Sequence, residues 1–310
     1  MAWLLLLVLS VAVGRTPREG DCEAVARAVD RLWTARAVAQ AVSSHWPGWG
    51  ATLVGARVRT KEGLRLRIGR SEEAACPGLP VPAAIVGKRR RGPRESFVGL
   101  GHKGDDYWLV IAEQREGMPL EGLVAAVVHQ LFHVHQYRTD VAFRPYNREN
   151  GAPDAAWATR QVATASADVQ QMLAITRSVI GGATDASTLQ RLVTARRRHF
   201  QHLDAAHPKL AERVALSERV EGSAGYLELQ VVMDPRARAI LLEAGVMPHR
   251  LREEAWRAAM LESSEDYAHA TGLGLALVLD AAGLPWQDEL HDVGFDRLLE
   301  RAVNRRVIRR

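Results

Sequence analysis

The sequence predicts an α+β protein that is mainly α, and three observations carry that expectation. Between positions 51 and 112 the chain runs in short β-branched or alternating segments, the pattern of a small sheet. From Leu120 to Gln136 an apolar segment repeats with helical period, and no Pro follows until Pro145. Beyond Asp140 long Ala-rich helical patterns are separated by Gly and Pro. A chain of 310 residues suffices for one or two domains. We read residues 15–310 as a single domain, with 15–140 carrying the sheet and a histidine-bearing helix and 141–310 forming a helical lobe.

Residues 1–14 are a short apolar run ending in Ala12-Val13-Gly14 ahead of Arg15, which reads as a secretory signal. The run is too short for a usual transmembrane span of about 20 residues, no later segment qualifies, and no lipobox precedes Cys22. The expectation is a secreted, periplasmic or otherwise extracytoplasmic protein. Cys22 and Cys76 are the only cysteines; in an exported chain they can form one disulfide, the alternative being two unrelated thiols.

Residues 21–44 place Val25, Val29, Leu32, Trp33 and Val38 at helical spacing, and Trp46-Pro47-Gly48-Trp49-Gly50 breaks that helix in a turn. The tryptophans are expected to pack over the helix end. Five strands follow at 52–58, 64–68, 81–86, 96–100 and 107–112. The run Lys88-Arg-Arg-Arg-Gly-Pro-Arg94 falls between two of them and reads as a solvated loop, with a processing site or an anionic contact as alternatives.

In the segment 120–136, Pro119 suits the first helical position and Glu121 the positive helix end. At about 100° per residue, Leu120, Leu123, Val124, Val127, Leu131 and Val134 form one stripe. Gly122, Ala125, Ala126, His129, His133 and Gln136 form the opposite one. His129 and His133 thus share a face one turn apart, the spacing of a metal site, and the small residues leave room for another backbone. Packing histidines with satisfied hydrogen bonds are the alternative.

Further helices are expected at 154–180, ended by Gly181-Gly182, at 186–206, from Pro208 to Asp234-Pro235, at 251–271, and through Phe295 to the Arg-rich tail. His199 and His202 on the second of these read as surface or packing residues. The Gly-x-Gly at 272–274 has no preceding strand and reads as close helix packing.

The segment His129-Gln130-Leu131-Phe132-His133 resembles the HExxH helix of the zincin metallopeptidases. In that family two His bind Zn²⁺ and the Glu between them is general base toward metal-bound water. Glu218-Arg-Val-Glu-Gly-Ser-Ala-Gly-Tyr226 is similar to the second helix of the gluzincin branch, where a Glu is the third ligand. Glu221 is the matching position. A later helix pair carrying Tyr267 and Asp280 completes a resemblance that covers most of the chain from about Trp108 onward. It implies a zincin-like fold with the small sheet packed on the HxxxH helix and a metal set of His129, His133 and Glu221. Its edge strand would line a cleft able to hold an extended peptide by strand addition. Because His133 and Glu221 are far apart in sequence, the two intervening helices must fold back as a hairpin.

Gln130 departs from the family. Gln preserves the helix, but a neutral amide has no usable basicity, so the expected protein is a metallopeptidase-like zinc binder impaired in catalysis. His135 projects about 200° from His133 and is a poor substitute base. Glu218, at i,i+3 from Glu221, either enters the site as base or supporting partner, or is a surface carboxylate paired with Arg213 or Arg219. Tyr226 and Tyr267 either present a phenol to a bound carbonyl or pack with a satisfied hydroxyl. An active peptidase using another base and a metal-free helical binding protein are the competing readings.

The net charge of +5, with 47% hydrophobic and 25% charged residues, is ordinary for a globular protein. No zinc finger, RNP or aromatic-interleaved basic motif supports nucleic-acid binding. The partner class that remains is a peptide or protein; oligomeric state is not readable from the chain.

Overall fold

A computed structural model describes residues 19–50, 54–69, 76, 78–79, 82–88, 96–103, 106–113, 118–139, 166–206, 208–262 and 267–308. The signal segment, the first part of the helix expected at 154–180 and most of the basic run 88–94 lie outside them. The protein is α+β and mainly α. Five strands are described, β1 (Gly55–Arg59), β2 (Leu64–Ile68), β3 (Ala83–Lys88), β4 (Phe97–Lys103) and β5 (Asp106–Ala112). The helices are α1 (Glu19–Val42), α2 (Leu120–Thr139), α3 (Ser166–Ile180), α4 (Ala186–Ala206), α5 (Leu210–Met233), α6 (Pro235–Glu243), α7 (Glu253–Glu262), α8 (Tyr267–Ala281) and α9 (Leu290–Ile308).

The chain divides into two compact units. The first holds the chain through Arg31, Val54–Gly101 and Trp108–Met118; the second holds Leu32–Leu53, His102–Tyr107 and Pro119–Arg310. Dividing the chain at residue 140 puts the histidine helix with the sheet. The compact units instead place it with the other helices, because α2 packs its length on α5.

In the first unit the sheet order is β3-β2-β1-β5-β4, with β1 antiparallel to β2 and parallel to β5. Alternation sends Ala56, Val58, Leu64, Leu66 and Ile68 to a buried face and Arg57, Arg65 and Arg67 to an exposed one. All five expected strands form, within a few residues of their expected bounds. Cys22 and Cys76 are joined in a disulfide, with Cα atoms 5.7 Å apart. Arg31 pairs with the buried Glu113 at 2.9 Å.

In the second unit α5 is central, in contact with α2, α4, α6, α7, α8 and α9. α3 and α4 pack on each other across the Gly181-Gly182 turn, where Gly182 has φ 110°, so the chain folds back as the ligand spacing requires. Asp185 caps α4 by accepting from the backbone of Ser187 and Thr188 at 3.0 Å each. Asp234 ends α5 and also caps α6, a short helix not evident in the sequence pattern, accepting from Arg236 and Ala237 backbone N–H. The helix expected over 251–271 is realised as α7 and the start of α8, which continues through 271–274 to Ala281. There the Gly-x-Gly is close packing: a Cβ at Gly272 would lie 2.3 Å from the Glu218 carbonyl oxygen, and one at Gly222 would lie 2.4 Å from Gly272 Cα.

Trp46 and Trp49, both buried, pack edge-on to Phe132 with ring centroids 4.7 and 5.4 Å away. Trp46 also meets Trp286, fully buried, whose indole N–H donates to Asp280 at 2.8 Å. Phe132, one of the three residues between the two histidines of HQLFH, is thereby anchored in an aromatic cluster, which fixes the rotation of α2 about its axis. Most of both stripes of α2 is buried, including Ala125, His129, His133 and Gln136 on the histidine side.

Candidate metal centre

The histidine stripe of α2 faces the Glu221 stripe of α5. His129 Nε2 lies 3.2 Å and His133 Nε2 lies 3.4 Å from the same oxygen, Glu221 Oε2. Zinc bonds of about 2.0–2.1 Å in a tetrahedral shell place neighbouring donors roughly 3.3 Å apart. The observed separations match that spacing, and the three residues can hold a metal ion.

Each ring is oriented by its far nitrogen. His133 Nδ1 sits 2.7 Å from the Gln136 amide oxygen, an acceptor, so Nδ1 carries the proton and Nε2 presents its lone pair. Gln136 is itself locked, since its amide nitrogen donates to Val220 carbonyl at 3.1 Å and to Ser223 Oγ at 2.8 Å. His129 Nδ1 sits 3.1 Å from Glu228 Oε2. Support of metal-binding imidazoles by a carboxylate or carbonyl is the usual companion of a metal site. Gln136 was placed on the right stripe by periodicity. Glu228 was not identified, although it lies seven residues and two turns beyond Glu221 on the same face of α5.

Without a metal, the same groups share a proton. Burial disfavours charge on His129, but hydrogen bonds to Glu221 and Glu228 outweigh it and push its pKa up to about 10. Burial works against the Glu221 carboxylate as well, yet His133 and His129 hold it well below the usual range. A proton and a metal therefore compete for the same lone pair of His129, and metal affinity rises with pH.

Two further residues border the trio without having been identified from sequence. Tyr137, one turn after His133, stacks on it with centroids 5.9 Å apart, and burial followed by the Glu221 charge raises its phenol pKa. His269 of α8 lies over His129 at 5.5 Å and belongs with His129 and Glu228 to a second group of potential donors. Gly225 makes room for it, because a Cβ there would fall 2.2 Å from His269 Nε2.

Two expected participants, Glu218 and Tyr226, have other roles. Glu218 is neither a base nor a surface carboxylate. It is fully buried, gripped by the Arg196 guanidinium at 2.9 and 2.6 Å, and accepts from Thr271 at 2.7 Å. The 100° pitch of α5 turns it toward α4 and α8, and its lone pairs are committed there. Tyr226 is a core residue, edge-on to Trp286 at 5.1 Å; burial and a hydrogen bond with Asp280 raise its pKa. Tyr267 begins α8, and its side chain is outside the described ones. Gln130 is half-buried on α2 beside His129. His199 is fully buried, and the exposed His202 binds Asp168 at 2.6 Å, so neither belongs to the centre.

No family model matches the chain, and neither does any curated protein or solved structure.

Proposed function

We propose that this chain is an exported, zincin-like zinc-binding protein in which Gln130 has replaced the general base, so that it holds a peptide or protein instead of cleaving it efficiently. The observation that carries the reading is the convergence of His129 Nε2 and His133 Nε2 on one Glu221 oxygen, with each Nδ1 met by an acceptor. Two neutral imidazoles and one carboxylate form a common zinc donor set with a position left open. Bound zinc supplies Lewis acidity toward a carbonyl or water. His129, His133 and Glu221 would hold it, Glu228 and Gln136 would fix the imidazole tautomers, and Gln130 would only orient a hydrogen-bonding group, since an amide takes up no proton near neutral pH. Glu218 is not available as an alternative base because Arg196 and Thr271 occupy it. The Cys22–Cys76 disulfide supports an oxidising compartment. Among the described residues no helix is long and apolar enough to cross a membrane.

The test is zinc stoichiometry of purified protein beside His129→Ala and Glu221→Ala. About one zinc per chain, lost in both variants, is the expected result. A folded wild type that takes up no zinc after incubation with the metal would overturn the reading in favour of a metal-free packing role.

A further inference from the structure

The exposed face of the sheet in the first unit carries a charge arrangement that folding alone does not favour. Strand register puts Arg57 directly opposite Arg67 and Arg59 directly opposite Arg65. Like charges in directly opposed positions destabilise a strand pair. None of the four guanidiniums has a carboxylate partner among the described residues; the contact made by Arg57 is with the Trp108 ring, 4.1 Å below it. That indole is in turn seated on Gly101, where a Cβ would fall 2.3 Å from the indole nitrogen. Arg57 is thus held in place by packing on Trp108, and the four arginines are left without a carboxylate partner among the described residues.

The same face is concave. A cavity of about 270 Å³ crosses all five strands, with the arginines of β1 and β2 and Val110 of β5 toward its middle. Its two ends are apolar and exposed: Val86 on edge strand β3 is 49% exposed and Phe97 on the opposite edge strand β4 is 50% exposed. Five strands at about 4.8 Å spacing separate those ends by roughly 19 Å. An extended peptide of about seven residues, at roughly 3.3 Å per residue, spans that distance.

We propose that this groove is a binding site for an acidic peptide segment flanked by apolar residues. Guanidinium forks match carboxylates bidentately, which accounts for the central Arg quartet, and side chains such as Leu on the ligand would cover Val86 and Phe97. A bare phosphate or sulfate polymer satisfies the arginines but leaves the two apolar ends exposed, so the peptide is the better match. The site lies within the first unit and does not depend on the metal centre.

The test is fluorescence anisotropy of the full protein with a labelled heptapeptide, Leu-Glu-Asp-Glu-Asp-Glu-Leu, at moderate salt. Saturable binding is expected, weakened about tenfold or more in Arg57→Gln/Arg67→Gln, as loss of charge-assisted bonds implies. It should weaken about fivefold in Val86→Ser/Phe97→Ser, and that variant should no longer distinguish the peptide from one with both Leu replaced by Ser. Circular dichroism establishes that these exposed-site variants stay folded. No saturable binding to the folded wild type would overturn the proposal. So would binding unaffected by the serine variant and matched by inorganic polyphosphate, which would define a bare polyanion surface instead.

Discussion

His133 and Gln136, less than one helical turn apart on α2, are joined by a 2.7 Å hydrogen bond that makes the imidazole present its Nε2 lone pair to Glu221. Because Gln136 is also tied to α5 through Val220 and Ser223, it couples the orientation of a ligand to the packing of two helices. Gln136→Leu should therefore lower zinc affinity about 10–100-fold, the usual effect of removing such a support. Competition titration against a chromophoric chelator measures it. Unchanged affinity in a folded variant would mean the hydrogen bond does not orient His133.

Gln130→Glu places a carboxylate beside His129, at the position that the proposed reading assigns to a general base. In the zinc-loaded, folded protein it should raise hydrolysis of an unstructured peptide by roughly 10²–10⁴, the contribution of a positioned general base. Mass-spectrometric sampling of the digest follows the rate. No gain in the zinc-loaded, folded variant would count against the proposed reading.

Arg196 and Glu218 form a buried pair, extended to Asp296 at 2.6 Å, that joins α4, α5 and α9. Glu218→Gln leaves the guanidinium under-compensated in the interior, and unfolding by denaturant should show a loss of about 3–5 kcal/mol. Zinc stoichiometry should stay at the wild-type value under native conditions. Loss of the metal with no loss of stability would instead return Glu218 to the site.

Two helical glycines should respond in opposite directions. Gly222→Ala drives a Cβ to 2.4 Å from Gly272 Cα, so α5 and α8 must separate, and destabilisation of at least about 2 kcal/mol is expected. A Cβ at Gly122 meets nothing within 4 Å, so Gly122→Ala should stabilise α2 by up to about 1 kcal/mol through helix propensity. Thermal melts of the two variants side by side decide this.

Burial, followed by the nearby Arg196 charge, depresses the His199 pKa from its usual 6.5 to about 4, with Asp168 opposing and His202 reinforcing the shift. Between those two values the unfolded chain binds a proton that the folded chain does not, so this residue's contribution is intact above about pH 6.5 and is lost progressively as pH falls toward 4. His199→Gln should flatten the pH dependence of stability over that window in denaturant titrations. An unaltered slope would mean His199 titrates normally in the folded protein.

Local pattern was sufficient for much of the chain. The alternation of Arg with Val and Leu at 57–59 and 64–68, the Pro119 start of α2 and the Gly181-Gly182 break are nearest-neighbour effects, and each of these elements forms at or near its expected bounds. Periodicity likewise set His129, His133 and Gln136 on one stripe, because 100° per residue is a property of any helix. What the sequence by itself determined was therefore the order of elements and which side chains share a face. Only the tertiary structure decided what each face meets. The rotation of α5 brings Glu221 and Glu228 to His129 while committing Glu218 to Arg196, which lies 22 residues earlier on α4. The crossing of α5 and α8 at Gly222 and Gly272 brings His269 over His129 and gives Tyr226 to the Trp286 cluster. Those contacts join residues distant in the chain, and helix crossings set by side-chain volume select them, a quantity that spacing along one helix does not contain.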